Sequence, residues 1–217
     1  MSGTTSFTQV GPCEISTTAQ ICSGAVIGKP FRPLLTNLHE IEDPDPTRIS
    51  AAAYIGYYAL FGSGSSLGER SIVDDYCSVE SDVHIGSGSL LIYRAQVCNE
   101  ARIGNGCVIG GLIAERVVVA DGARVFGKVV HSQHNPRIGW DDSGVSEPSA
   151  IIEQGAFIGF DAMVIGGVRI GKGAFICSGA IVTRDVPDFH IARGVNGIVL
   201  PNAWSGPLGH SDFFNHG

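Results

Sequence analysis

The chain has 217 residues: 44% are hydrophobic, only 16% are charged, 30 are glycine, and the formal charge is −7. A charged fraction well below the roughly 25% of an average soluble domain, with no basic run, excludes nucleic acid or an anionic membrane as the expected partner. The polar N-terminal stretch MSGTTSFTQVGPCEIS lacks the apolar segment of a secretory leader, 49–61 is too short to span a bilayer, and six cysteines without a CxxC pair suit a reduced, cytoplasmic setting.

The chain opens with Ile15, Ile21 and Ile27, apolar residues six apart, which define an N-terminal coil over 1–29. The period breaks at 28–48, GKPFRPLLTNLHEIEDPDPTR, a stretch with four of the ten prolines and a cluster of acids. It reads as an insertion over 30–48, either extended or with a short helix at LLTNLHEI.

From Ile49 the period resumes and holds. Ile49, Ile55, Phe61, Leu67, Val73, Val79, Ile85, Leu91, Val97, Ile103 and Ile109 are all large and apolar. Four residues after each stands a mostly small one: Ala53, Ala59, Ser65, Ser71, Cys77, Val83, Ser89, Ala95, Ala101 and Cys107. Glycine often follows the large residue, as at Gly56, Gly62, Gly68, Gly86 and Gly104. A period of six preserves side-chain direction in a strand and fits neither 3.6 nor 3.5, so helices and coiled coils are excluded. The large residue points inward, the small one fills a tight corner, and glycine permits close approach or positive φ. The expected fold is all-β: a parallel β-helix of hexapeptide repeats. Cys77 and Cys107 then act as small core residues, while Cys22, Cys98 and Cys177 are expected to face outward without reactivity. Tyr57, Tyr58 and Tyr76 are expected at the solenoid surface or in subunit contacts.

The main body runs over 49–130, with a four-residue register shift within 110–118. Stepping by six from Val119 to Val125 lands on His131, so a histidine is expected where an inward aliphatic would stand. It opens the stretch HSQHNP, and the period stays broken over 131–151. Insertions in a solenoid become loops on one face and often carry function. His131 and His134 could be solvated loop residues, metal ligands or a general base. HxxH supplies only two ligands and no third histidine has matching spacing, so no metal is expected. A base needs one imidazole able to reach an acceptor hydroxyl or amine. The period returns at Ile152, Ile158, Val164, Ile170, Ile176 and Val182, giving C-terminal coils over 152–187 and a tail over 188–217.

The repeats, the His-bearing interruption and IIEQGAFIGFDAMVIGGVRIGKGAFICSGAIVTRDVP together resemble the left-handed β-helix acyltransferases, more closely their branch of small-sugar and xenobiotic acetyltransferases. SGAIVTRDVP at 178–187 resembles that branch's C-terminal motif. The resemblance implies a homotrimer with sites at subunit interfaces and acetyl-CoA as co-substrate. It implies a small-molecule acceptor whose hydroxyl or amine a loop histidine deprotonates. By position, His131 is favoured over His134 as that base. Ser178, Gly179, Ala180, Thr183 and Arg184 match the CoA-lining motif, Arg184 keeping a cation for the CoA phosphates. Asn135, Trp140, Asp141 and Asp142 are candidate acceptor contacts, and Glu115 is a candidate to orient the base. Two departures stand out: FIG at 157–159 replaces an aromatic WIG, and Gly194-Val195-Asn196-Gly197 replaces a segment with proline and lysine, where Arg193 could substitute. A non-catalytic hexapeptide scaffold and a γ-type carbonic anhydrase-like metalloenzyme are the alternatives. The latter requires a three-histidine zinc spacing that is not found.

Overall fold

The computed structural model describes residues 6–30, 45–132 and 147–200. The short helix considered at LLTNLHEI, along with His134, Asn135, Trp140, Asp141 and Asp142, lies outside these residues. Short strands stack into three sheets that form the sides of a prism, a left-handed β-helix. Sheet A runs from Thr8–Gln9 through Val26–Lys29, Leu60–Gly62, Ser78–Val79, Gln96–Val97, Leu112–Ile113, Lys128–Val130 and Met163–Ile165 to Ile181–Val182. Sheet B starts at Cys13–Ile15 and ends at Arg169–Ile170, and sheet C starts at Gln20–Ile21 and reaches Ile191–Arg193. Every pair is parallel except the last, where Gly197–Val199 folds back antiparallel on Ile191–Arg193.

The predicted columns are the core. All eleven large residues from Ile49 to Ile109 are buried, as are the small-slot residues Ala53, Ala59, Ala95, Ala101, Cys77 and Cys107. Each large side chain removed from water contributes about 1.5–3 kcal/mol. Serine in a small slot is buried without a penalty because its hydroxyl is fully used. Ser89 Oγ donates to the Gly104 carbonyl at 2.7 Å and accepts from Cys107 N–H at 3.0 Å. Ser71 and Ser65 repeat the pattern toward Gly86 and Glu80. Burial holds the Cys77 thiol up to about 11. Cys22, Cys98 and Cys177, expected outward, are instead partly buried, and Cys98 is pushed to about 12 by burial and then by Glu80 and Glu115.

The corner glycines divide into two kinds. The one after the large residue serves close approach: a Cβ on Gly86 would lie 2.6 Å from the Gly104 backbone. The left-handed position comes two residues later and often holds another residue type, as at Tyr58, Tyr76, Arg94 and Arg116.

The regular coil is 18 residues, as Ser78 pairing Gln96 shows. Two coils are shorter. Val97 aligns with Ile113, and Ile113 with Val129, each a step of 16. Both lose two residues at the corner from sheet C to sheet A, at Gly110-Gly111 and Phe126-Gly127. The first is the predicted register shift. The second corrects the reading of His131: the inward residue after Val125 is Val129, fully buried and paired with Val164, and His131 lies two residues beyond it.

Both long excursions leave from one other corner, between sheets A and B. One departs after Val26–Lys29 and returns at Thr47–Ile49; the other departs after Lys128–Val130 and returns at Ile151–Ile152.

Gly111 marks what a short corner requires: an added Cβ would meet the Gly127 carbonyl oxygen at 1.7 Å. Gly111→Ala should therefore destabilise the protein by about 3 kcal/mol, the upper range for overpacking. Gly106→Ala, with φ +62 and open space around it, should cost about 1 kcal/mol. Urea denaturation of both variants measures the difference, and equal losses would remove the special role of the short corner.

Candidate functional site

Adding chain at the corner between sheets A and B leaves the columns on either side intact, so the ends of an excursion are held by rigid strands. His131 directly follows Lys128–Val130, whose Val130 carbonyl accepts from Gly166 N–H at 2.9 Å. The register of Ile113 with Val129 sets His131 beside Glu115 of the preceding coil and Gly166 of the next. His131 Nε2 is buried and has no hydrogen-bond partner among the described residues.

The two arms of the excursion are tied together. Ser132 Oγ donates to Glu147 Oε2 at 3.3 Å, and the Glu147 side chain is buried. Ser149 Oγ donates to the Glu115 carbonyl at 3.1 Å. Gly166-Gly167 lies beneath both arms: a Cβ on Gly167 would fall 2.3 Å from Pro148, and one on Gly166 would sit 3.6 Å from Ser132. The sequence signal for this floor is the doubled glycine in VIGGV.

The Glu115 carboxylate pairs with Arg116 Nη1 at 3.6 Å. Among the described residues, Arg116 Nε is the other buried side-chain nitrogen without a partner. Behind them runs a polar column. Glu80 Oε2 accepts from Asn99 N–H at 3.0 Å, Asn99 Oδ1 from Ser81 N–H at 3.0 Å, and Ser63 and Ser81 hydroxyls meet at 3.1 Å. Burial raises the Glu80 carboxyl above its ordinary range. The site corner is therefore acidic, with one arginine and one imidazole among carboxylates. Sequence reasoning singles out His131 and Glu115 but neither Arg116 nor Glu147.

The C-terminal motif lies elsewhere. Ser178 and Gly179 are exposed on the corner between sheets C and A, and a Cβ on Gly179 would meet nothing within 4 Å. Ala180 is wholly buried in an inward small slot. Thr183 and Arg184 are engaged by the tail: Asn196 Oδ1 accepts from Thr183 N–H at 2.8 Å, Asn196 Nδ2 donates to Thr183 Oγ1 at 2.8 Å, and Arg184 donates to the Asn196 carbonyl. On the last strand of sheet B, Arg169 holds Glu153 at 3.0 Å and Asp188 at 2.8 Å. Among the described residues, no three His, Cys, Asp or Glu side chains gather as metal ligands, and no helix is long and apolar enough to cross a membrane.

Residues 149–184 match the profile of the bacterial transferase hexapeptide (six repeats) family. The bifunctional protein GlmU of Geobacillus sp. is 29% identical over 181 residues, covering 68% of this chain and 39% of its own. GlmU of Nitratidesulfovibrio vulgaris is 25% identical over 192 residues, covering 85% and 36%. The chain thus spans little more than a third of the length of these curated relatives. Among solved structures, an AntD N-acyltransferase variant from Bacillus cereus, in complex with dTDP-4-amino-4,6-dideoxyglucose and coenzyme A, is 19% identical. It covers 80% of this chain and 89% of that one at a TM-score of 0.43. The Francisella novicida UDP-N-acetylglucosamine acyltransferase is 15% identical, covering 88% and 68% at 0.36. Structural likeness at this level carries no inference about what the chain binds.

The Arg169 hydrogen bond holds the Asp188 carboxyl below its ordinary value. A carboxylate with a depressed folded-state pKa stabilises the fold at pH above its unfolded value, about 3.9, and that contribution is lost as pH falls through the folded value. Asp188→Asn should lower the urea midpoint at neutral pH, with the gap to the parent closing as pH drops below about 4. A gap that stays constant with pH would assign the effect to packing.

Proposed function

We propose that this chain, a left-handed β-helix whose residues 149–184 match the bacterial transferase hexapeptide profile, transfers an acyl group, acetyl in the simplest case, from acyl-CoA to a hydroxyl or amine of a small, sugar-like acceptor. His131 is the general base. The observation that carries this assignment is the buried, unpartnered Nε2 of His131 at the foot of the second excursion. A buried polar atom without a partner costs about 1–3 kcal/mol. An acceptor O–H or N–H donating to that nitrogen removes the cost and is thereby placed for deprotonation.

In the reaction, the acceptor atom gives its proton to His131 as it attacks the thioester carbonyl carbon. The new C–O or C–N bond forms, the C–S bond breaks, and the imidazolium returns the proton to the departing CoA thiolate, leaving free thiol and neutral histidine. A backbone N–H meets the developing oxyanion, as acyl transfer requires. His134 is the second candidate for the base, and Asn135, Trp140, Asp141 and Asp142 are the acceptor contacts; all five lie outside the described residues.

The acyl-CoA chain would run over the exposed Ser178 and Gly179, where the absence of a Cβ keeps the surface flat. Buried Ala180 contributes only backbone. Thr183 and Arg184 act through the turn they hold with Asn196, with Arg184 exposed toward the phosphates. The proposed assembly is a cytoplasmic homotrimer. The outward column of sheet C supports it, since Ile72, Leu90, Val108, Phe157 and Phe175 make that side largely apolar, interrupted by Arg124, whereas the sheet B column mixes Val118 and Ile151 with Arg48, His84, Arg102 and Arg169.

Acetyl-CoA should raise the melting temperature of the purified protein. His131→Ala should reduce transfer across a panel of amino sugars, hydroxylated sugars and amino-bearing antibiotics by about 10²–10⁴-fold while leaving that CoA-induced shift intact. Unchanged turnover moves the base to His134. No shift with either CoA or acetyl-CoA favours the non-catalytic scaffold.

A further inference from the structure

The two short coils leave a mark on the opposite side of sheet A from His131. Removing two residues from each of two successive corners draws the chain inward at Gly110-Gly111 and Phe126-Gly127, while the coils before and after keep full-length corners at Tyr93-Arg94 and Phe160-Asp161. The result is an open recess of about 340 Å³ lined by Arg94, Gln96, Leu112, Phe126, Lys128 and Asp161 around that glycine floor. The volume falls within the range of small-molecule sites, about 300–1,000 Å³.

The lining is chemically asymmetric. Arg94 and Lys128 bring two cations, Gln96 a neutral amide, and Asp161 one carboxylate from the far wall. None of the three charged side chains forms an ion pair among the described residues. The backbone N–H groups of Gly111 and Gly127 likewise donate to no acceptor among them. Arg94 is braced by the Tyr93 ring, 5.0 Å from its centroid, and Phe126 is braced by stacking on Phe160 at 4.7 Å. Convergent cations with backbone donors suit an oxyanion. A carboxylate opposite them suits a hydroxyl, and a fixed ring between them suits the C–H face of a sugar or polyol.

We propose that this recess is a binding site for a small phosphate ester bearing hydroxyl groups, separate from the acyl-transfer site. The phosphate sits between Arg94 and Lys128, a hydroxyl donates to Asp161, and the carbon skeleton lies on Phe126. The site does not depend on the acyltransferase reading, because its recognition uses none of the residues assigned there.

Calorimetric titration of the full-length protein with glucose 6-phosphate, inorganic phosphate and glucose tests it. Glucose 6-phosphate should bind, phosphate more weakly, and glucose not detectably. Arg94→Gln and Lys128→Gln should each weaken glucose 6-phosphate by about tenfold, the loss of one charge-assisted hydrogen bond. Asp161→Asn separates the two parts of the ligand: removing the like charge should tighten inorganic phosphate while shrinking the preference for the sugar phosphate over it. Saturating CoA should leave all of these affinities unchanged. Binding by neither phosphate compound, or binding indifferent to both cation substitutions, overturns the site. Displacement by CoA overturns its separateness and assigns the recess to the CoA phosphates. Because the readout is binding, the titration tests the recess equally well in a protein that transfers no acyl group.

Discussion

Everything in this molecule depends on one constraint: strands of two to four residues, paired in parallel register from one coil to the next. So short a strand contributes little by itself. It holds because the large residue it carries sits in a continuous inward column, and because the corner returns the chain to the same height every time. Column and corner are therefore coupled. A residue is free to vary only where it faces outward, and chain length is free to vary only at a corner.

Length does vary, in both directions, and each direction uses its own corner. Additions occur between sheets A and B, where the chain leaves after Lys29 and after Val130. Deletions occur between sheets C and A, at Gly111 and Gly127. An addition leaves the columns on either side untouched, so its first and last residues inherit the rigidity of the strands. A deletion pulls the surface inward and needs glycine, because neighbouring backbones approach to where a Cβ would collide. The first operation places an imidazole at a strand exit, and the second opens a recess between two full corners.

The columns were legible because six-residue periodicity in large apolar residues has no competing explanation, and each position from Ile49 to Ile109 lies where the period puts it. Ser65, Ser71 and Ser89 were legible as small but not as satisfied, since their carbonyl acceptors are about fifteen residues away and belong to the next coil. The short corner at Gly110-Gly111 announced itself with a broken period on both sides. The one at Phe126-Gly127 did not: Val125 plus six lands on a histidine that opens a visibly irregular stretch, so the slip to Val129 was hidden by the interruption following it. His131 keeps a buried ring nitrogen despite the slip for a physical reason. Extended backbone alternates, so two residues beyond an inward valine the chain still places a nitrogen out of contact with water. Glu147 and Arg116 were not legible, because their burial depends on how the returning arm lies over Gly166-Gly167.

The separation of the two operations bears on how such a fold can acquire a second site. A narrowed corner changes the surface in place, without adding chain. Sheet A is the face shared by both: its outward residues run from the foot of the second excursion beside Lys128–Val130 to the rim of the recess at Gln96 and Lys128. The Lys128–Val130 strand thus has His131 at its exit and Lys128 in the recess, with Val129 between them locked into the core. A shift of that strand by one residue would move all three at once, and Val129 packed between Ile113 and Val164 is what forbids it.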